Sequence, residues 1–112
     1  MTKLESYEQV EQASERKYIA RQEEEFRVLA RRDKLFGQWA AGLLGYGGEA
    51  AEKYVLAVIE SNFEKPGDDD MLGKVRADLQ LGKVVLENIN LSAKLNEFHI
   101  LAGRQVEEEA KK

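Results

Sequence analysis

The chain has 112 residues, of which 43% are hydrophobic and 34% are charged, and its formal net charge is −4. This length is that of one domain, and an acidic balance provides no field that attracts nucleic acid or an anionic membrane surface. Because the chain has no cysteine, a disulfide framework and thiolate chemistry are excluded. No apolar run approaches the ~20 residues that span a bilayer. The first residues are charged rather than apolar, so we expect no signal peptide and a cytoplasmic protein.

The first predicted helix runs from about Leu4 to Leu44 and has two different halves. Up to residue 25 few side chains are apolar, so helix formation depends on propensity and on side-chain pairs worth only ~0.2–0.5 kcal/mol each. Since most helical stability in proteins comes from packing, we expect this half to be mobile in isolation. We therefore divide the chain into a mobile N-terminal arm, residues 1–25, and a helical bundle, residues 26–112. Apolar residues at helical spacing predict that the helix is anchored from Phe26 onward: Phe26, Leu29, Leu35, Phe36, Trp39, Ala40 and Leu43.

Three further helices follow, separated by short connections. The glycines of Gly45–Gly48 predict the end of the first helix, and an amphipathic pattern predicts a second helix from Glu49 to about Asn62. Lys65–Gly67 predicts a turn, and the acidic residues Asp68–Asp70 are expected to cap a short third helix. The fourth helix is predicted from Val84 toward Glu108, with a broad apolar front. These elements predict an all-α protein, a four-helix bundle with a long, partly mobile N-terminal helix.

The residues typical of catalytic, metal and phosphate sites do not form a recognisable set in the sequence. His99 is the only histidine and has no cysteine or second histidine with which to share a metal. Asp68–Asp70 lacks the spread of ligands of a calcium loop, and Gly42–Gly48 lacks the Lys-Ser/Thr pair and the strand of a phosphate loop. Phe36 and Trp39 are expected in the core rather than in a docking patch. We therefore predict a binding protein rather than an enzyme, with no cofactor and no metal.

Blocks of sequence in the middle of the chain resemble the ATPase inhibitor zeta subunit family of alphaproteobacterial ATP synthases. They are ARRDKLFGQWAAGLLG at residues 30–45, Glu49-Ala50 with Tyr54, NFEKPGDDD at residues 62–70, and ADL at residues 77–79. The resemblance implies a four-helix bundle with an inhibitory N-terminal segment that is mobile in isolation. It also implies that this segment enters the interface between a catalytic and a non-catalytic subunit of the ATPase head, near the rotor, and blocks rotation in the direction of hydrolysis.

The resemblance extends without gaps from Tyr7 to Lys34 and implies which residues contact the partner. The implied partners are the alpha, beta and gamma subunits of the catalytic head, at the cytoplasmic face of the inner membrane, without nucleic acid and without direct membrane insertion. Ser14 stands where the family commonly has an aromatic residue, so a helical adaptor that has lost inhibition is one alternative. A weak ATP or ADP sensor that uses Arg31, Arg32 and Lys34 is another. The arm residues expected to bind the head are Tyr7, Glu8, Val10, Glu11, Glu15, Arg16, Lys17, Tyr18 and Ile19.

Overall fold

The protein consists of four α-helices that pack around one small core. The structure is a computed structural model; it describes the backbone of residues 3–63 and 65–111 and the side chains of residues 13–63 and 65–111. The helices are α1 (Lys3–Leu43), α2 (Gly48–Ser61), α3 (Asp69–Leu81) and α4 (Leu91–Ala110). The all-α, four-helix prediction with a long N-terminal helix is confirmed. Because α1 is much longer than its neighbours, the molecule measures 70 × 31 × 26 Å.

The second half of α1 forms the centre of the bundle. It packs mainly against α2 and α4, and α3 closes the bundle. The pairs Arg31–Gln105 and Trp39–Phe98 show that α4 runs antiparallel to α1. Phe36 is fully buried, and Trp39 stacks against it at a centroid distance of 5.7 Å, as the sequence predicted. The buried apolar cluster comprises Phe36, Ala40, Ala41, Tyr54, Val58, Met71, Val75, Leu79, Leu91 and Leu95.

Glycine has a distinct role at two points of α1. A Cβ at Gly37 would lie 3.2 Å from the Cα of Val55, so the absence of a side chain lets α1 and α2 approach closely. Gly45 adopts φ of +79° just beyond the helix end, which is the left-handed conformation that glycine accepts at low cost. The N–H of Tyr46 then donates to the carbonyl of Ala41 at 2.9 Å, as in a Schellman motif. The predicted helix end at these glycines is confirmed.

The predicted start of the fourth helix at Val84 is wrong, because α4 begins at Leu91. Lys83, with φ of +59°, ends α3, and residues 84–90 form no helix. The side chain of Asn90 accepts a hydrogen bond from the N–H of Ala93 at 3.0 Å and caps the new helix. The apolar residues between them belong to a connection that packs on the core: Val84, Leu86 and Ile89.

The predicted anchoring of α1 from Phe26 is also wrong at its first two residues and at its last, Leu43, which is 37% exposed. Phe26 is 65% exposed and Leu29 is 41% exposed, whereas Arg32, Asp33 and Phe36 are buried. The apolar face of α1 therefore begins before the other helices cover it. The division of the chain at residue 25 remains a prediction, but the first buried side chain of α1 among those described is that of Arg32.

A polar contact between α2 and α3 involves a buried tyrosine. The hydroxyl of Tyr54 donates to Oδ2 of Asp78 at 2.9 Å, and the ammonium of Lys74 donates to the same oxygen at 3.0 Å. Burial raises the pKa of Tyr54 well above its usual value of 10.0, and the hydrogen bond to Asp78 and the charge of Asp78 act in the same direction. The folded protein therefore retains this proton at a pH where the unfolded chain loses it.

We expect the free energy of unfolding to fall above about pH 10 in part because of Tyr54. Below the unfolded-state pKa both states hold the proton, so the contribution of Tyr54 is fully present; above it only the unfolded state ionises, and the contribution is lost. Tyr54→Phe should cost about 1–2 kcal/mol at neutral pH and should flatten the alkaline part of the profile. Urea unfolding of the wild type and of Tyr54→Phe is measured over the same pH series. Because the lysines titrate in both proteins, their effect cancels in the difference between the two free energies of unfolding. Parallel profiles for the two proteins would contradict this assignment.

Candidate functional site

Where the side chains are described, no other helix covers the first half of α1. All described side chains from residue 13 to residue 27 are exposed. Three of them are large and apolar: Tyr18 is 63% exposed, Ile19 is 56% exposed and Phe26 is 65% exposed. A helix that presents such side chains to solvent is suited to bind a groove on a partner, in which the apolar side chains act as anchors.

Five of the predicted arm residues form one run of sequence on this helix: Glu15, Arg16, Lys17, Tyr18 and Ile19. Ser14, Glu15, Tyr18 and Ile19 line a shallow apolar depression on its surface. Tyr7, Glu8, Val10 and Glu11 belong to the backbone of α1, but their side chains lie outside the described residues.

A buried polar network holds α1 where it enters the bundle. The guanidinium of Arg32 donates to Oδ1 of the adjacent Asp33 at 2.9 Å. It also donates through both terminal nitrogens to Asp68, at 2.7 Å and 3.3 Å. Asn62 donates to Asp33 at 2.9 Å and to Asp68 at 3.2 Å. Arg32 and Asp33 are each only 7% exposed, so the pair depends on these partners for its solvation.

This network changes the role predicted for the acidic triplet. Asp68 does occupy the N-cap position of α3, but its side chain makes no capping hydrogen bond, so the expected side-chain cap is wrong for this residue. Its carboxylate instead accepts from Arg32 and Asn62 and joins α1 to the connection between α2 and α3. Asp69 and Asp70 lie in the first turn of α3, where negative charge interacts favourably with the helix dipole.

A second ion pair connects the same point of α1 to the end of α4. Nη2 of Arg31 donates to both carboxylate oxygens of Glu109, at 2.8 Å and 3.0 Å. Nη1 donates to the side-chain oxygen of Gln105 at 2.9 Å. Neighbouring arginines of α1 therefore bond to different parts of the bundle, Arg31 to α4 and Arg32 to the α2–α3 connection.

The structure also places the residues that were predicted candidates for binding a metal or a phosphate. His99 is exposed and lines a cleft with Arg32, Asp68 and Ser92. Across the described ranges, no three His, Asp or Glu side chains are grouped so that they would hold a metal ion. Both arginines suggested for a phosphate already donate to acidic side chains, so a nucleotide at this point would compete with those ion pairs. In the described part of the chain, no helix is long and apolar enough to cross a membrane.

The exposed apolar surface extends further along α1 than the sequence indicated. Phe26 and Leu29 were expected in the bundle, yet they continue the exposed face from Ile19 toward the bundle. Leu29 also lines a groove with Val28 of α1 and Ile100 of α4. In the sequence, the charged residues Glu23–Glu25 and Arg27 surround Phe26, and this is the signal of its exposure. Helical periodicity alone does not show that no neighbouring helix covers Phe26.

A small helical bundle that carries one unpartnered amphipathic helix is the architecture of a protein that acts by binding another protein. The family model for the ATPase inhibitor subunit zeta matches residues 1–105, which is nearly the whole chain. The chain therefore belongs to the family of ATPase inhibitor subunit zeta, and its class is that of an inhibitory, regulatory subunit. Comparison with curated proteins gave no match.

Proposed function

We propose that this chain inhibits ATP hydrolysis by the bacterial F-type ATP synthase by inserting the first part of α1 into the catalytic head near the rotor. The observation that carries the proposal is the unpartnered arm in a chain of an inhibitor family. The partners are the alpha, beta and gamma subunits of the head, and the place of action is the cytoplasmic face of the inner membrane. The residues that bind would be those from Tyr7 to Ile19.

The apolar side chains of the arm support this mode of binding. At helical spacing, Tyr18 shares a face with Leu29, and Ile19 shares a face with Phe26. All four are exposed, and Leu29 lies on the face that becomes the buried core face at Phe36. In the free protein this apolar stripe is exposed to water. Its burial in a groove of a partner lowers the free energy, because apolar surface leaves water. Large apolar side chains of an interface are the residues whose loss costs most.

The charged residues of the arm support specificity rather than affinity. Glu15, Arg16 and Lys17 are consecutive and exposed, and they present both signs of charge next to Tyr18. Complementary charges on a partner set register and exclude wrong partners more than they raise affinity. An arm that must also become ordered on binding has a lower affinity for the area it buries, which suits a regulated inhibitor.

The test is a titration of the full chain into the ATPase head of its own organism, with ATP hydrolysis as the readout. We expect inhibition at micromolar concentration or below. The absence of inhibition at micromolar concentration would reject the proposal. In that case, a chimera that carries the arm of a typical family member on this bundle tests the adaptor alternative. Inhibition by the chimera alone would locate the loss in this arm, including Ser14.

A further inference from the structure

Two adjacent arginines hold α1 at the point where it leaves the bundle. Arg31 is bound to Gln105 and Glu109 on one side, through three hydrogen bonds of 2.8–3.0 Å. Arg32 is bound to Asp68 on another side, through a fork of 2.7 Å and 3.3 Å. N-terminal to this pair, the described side chains from residue 13 to residue 27 are exposed. Among the described side chains, the two arginines are therefore the last polar attachments of α1 before the arm.

The orientation of the arm depends strongly on this point because the arm is long. Residues 3–30 of α1 continue for about 42 Å at the usual helical rise. A tilt of about 10° at the base would move the far end by roughly 7 Å, which is more than the width of a side chain. A short-range contact at Arg31 therefore controls a large displacement at the residues proposed to bind the head.

The contacts of Arg31 and Arg32 differ in how deeply they are buried. Arg32 is buried together with Asp33, so its bonds belong to the core of the fold. Arg31 and Glu109 are partly exposed, with 29% and 56% of their side chains accessible, and the fold does not depend on their burial. The guanidinium of Arg31 nevertheless restricts direction, because Nη1 donates to Gln105 while Nη2 donates to Glu109, and two partners on α4 limit rotation more than one would. The Arg31–Glu109 pair is thus an orienting contact attached to a rigid base.

We propose that Arg31, through Gln105 and Glu109, is a positioning residue that aims the arm for insertion into its partner. The effect of Arg31 on inhibition rests on the proposed function, but the orientation of the arm is a property of the free protein. Arg31 does not need to touch the partner for this role. It restricts the directions in which the arm leaves the bundle, and so reduces the cost of ordering the arm when it binds.

The test reverses the charges of the pair in the full-length protein. The variants are Arg31→Glu, Glu109→Arg and the double exchange, which restores opposite charges. The matched control exchanges the Glu107–Lys111 pair, an exposed ion pair of 3.4 Å at the end of α4 that does not involve α1. Because the chain has no cysteine, Ser14→Cys and Lys65→Cys give two exposed sites for spin labels. Pulsed electron paramagnetic resonance then measures the distance distribution between the arm and the α2–α3 connection.

We expect each single reversal to broaden or shift this distribution, and the double exchange to restore it. The midpoint of urea unfolding should change little, and the control exchange should leave the distribution as in the wild type. In the hydrolysis assay, each single reversal should raise the half-inhibitory concentration by about fivefold, with recovery in the double exchange.

The two readouts separate the two possible failures. If the wild-type chain does not inhibit but the distances respond and recover as described, the proposed function fails and the orienting role of Arg31 stands. If Arg31→Glu leaves the distance distribution unchanged, or the double exchange does not restore it, the orienting role is overturned, whatever the hydrolysis assay gives.

Discussion

Deletion of residues 1–18 is expected to abolish inhibition of ATP hydrolysis and to leave the bundle folded. The deletion removes three of the proposed apolar anchors, Tyr7, Val10 and Tyr18, and loss of a hot-spot anchor costs about 2 kcal/mol or more. The combined loss exceeds about 100-fold in the half-inhibitory concentration. No described side chain from residue 13 to residue 27 is buried, so the free energy of unfolding should change by less than about 0.5 kcal/mol. Hydrolysis assays and urea unfolding measure the two quantities.

Point substitutions distinguish a specific surface from a general effect of apolar area. Tyr18→Ala combined with Ile19→Ala should raise the half-inhibitory concentration at least about 30-fold. The matched control is Leu81→Ala combined with Val85→Ala, because these residues are 82% and 72% exposed. Leu81 lies at the opposite end of the bundle, where Gly82 meets Leu44. If the control pair weakened inhibition as much as the arm pair, or the truncated chain inhibited fully, the arm would not be the inhibitory element.

The second large effect is expected on stability, from the Arg32→Ala substitution. Asp33 would remain buried with Asn62 as its other donor, and a buried charge that loses its ionic partner typically costs about 3–5 kcal/mol. This is a large part of the ~5–15 kcal/mol that stabilises an ordinary domain. We expect a strongly lowered urea midpoint, or a chain that is largely unfolded at 25 °C.

The neighbouring arginine provides the matched control. Arg31→Ala removes a pair that is partly exposed, and such pairs contribute about 0–1 kcal/mol. The double variant Arg32→Ala with Asp33→Ala removes both buried charges and should regain part of the stability that Arg32→Ala loses. If Arg32→Ala and Arg31→Ala had equal midpoints, the buried network would not be the stabilising contact we infer.

Element type and helix ends could be predicted where local chemistry decides them. Gly45 ends α1 because a left-handed residue is needed there and glycine accepts it, and this requirement is visible in sequence. The end of α3 at Gly82 could be predicted because glycine is common at helix ends, although Gly82 has φ of −79° and the left-handed residue there is Lys83. The start of α4 could not, because Val84, Leu86 and Ile89 follow a pattern that fits either a helix or a connection packed on the core. The feature that places the start of α4 at Leu91 is the capping side chain of Asn90.

The polar network at the base of the arm shows a different limit. Asp68 has the position of a cap, and local rules assign it to one. Its carboxylate is taken instead by Arg32, which is 36 residues away in the sequence. A buried arginine is a stronger donor for a carboxylate than the backbone N–H groups of a helix end, and only the packing of α1 on the α2–α3 connection brings the two together. No local pattern contains that information.

The sequence by itself determined that this protein is helical, that its bundle has an apolar stripe at helical spacing, and that its first part has little to bury. These properties follow from periodicity and composition, which are local quantities. Only the tertiary structure decided how far the bundle covers α1, because coverage depends on where α2, α3 and α4 end against it. That is why Phe26 and Leu29 lie in solvent although they share the spacing of the core. The direction in which the arm leaves is likewise tertiary, since Arg31 reaches Glu109 only when α4 returns antiparallel beside α1.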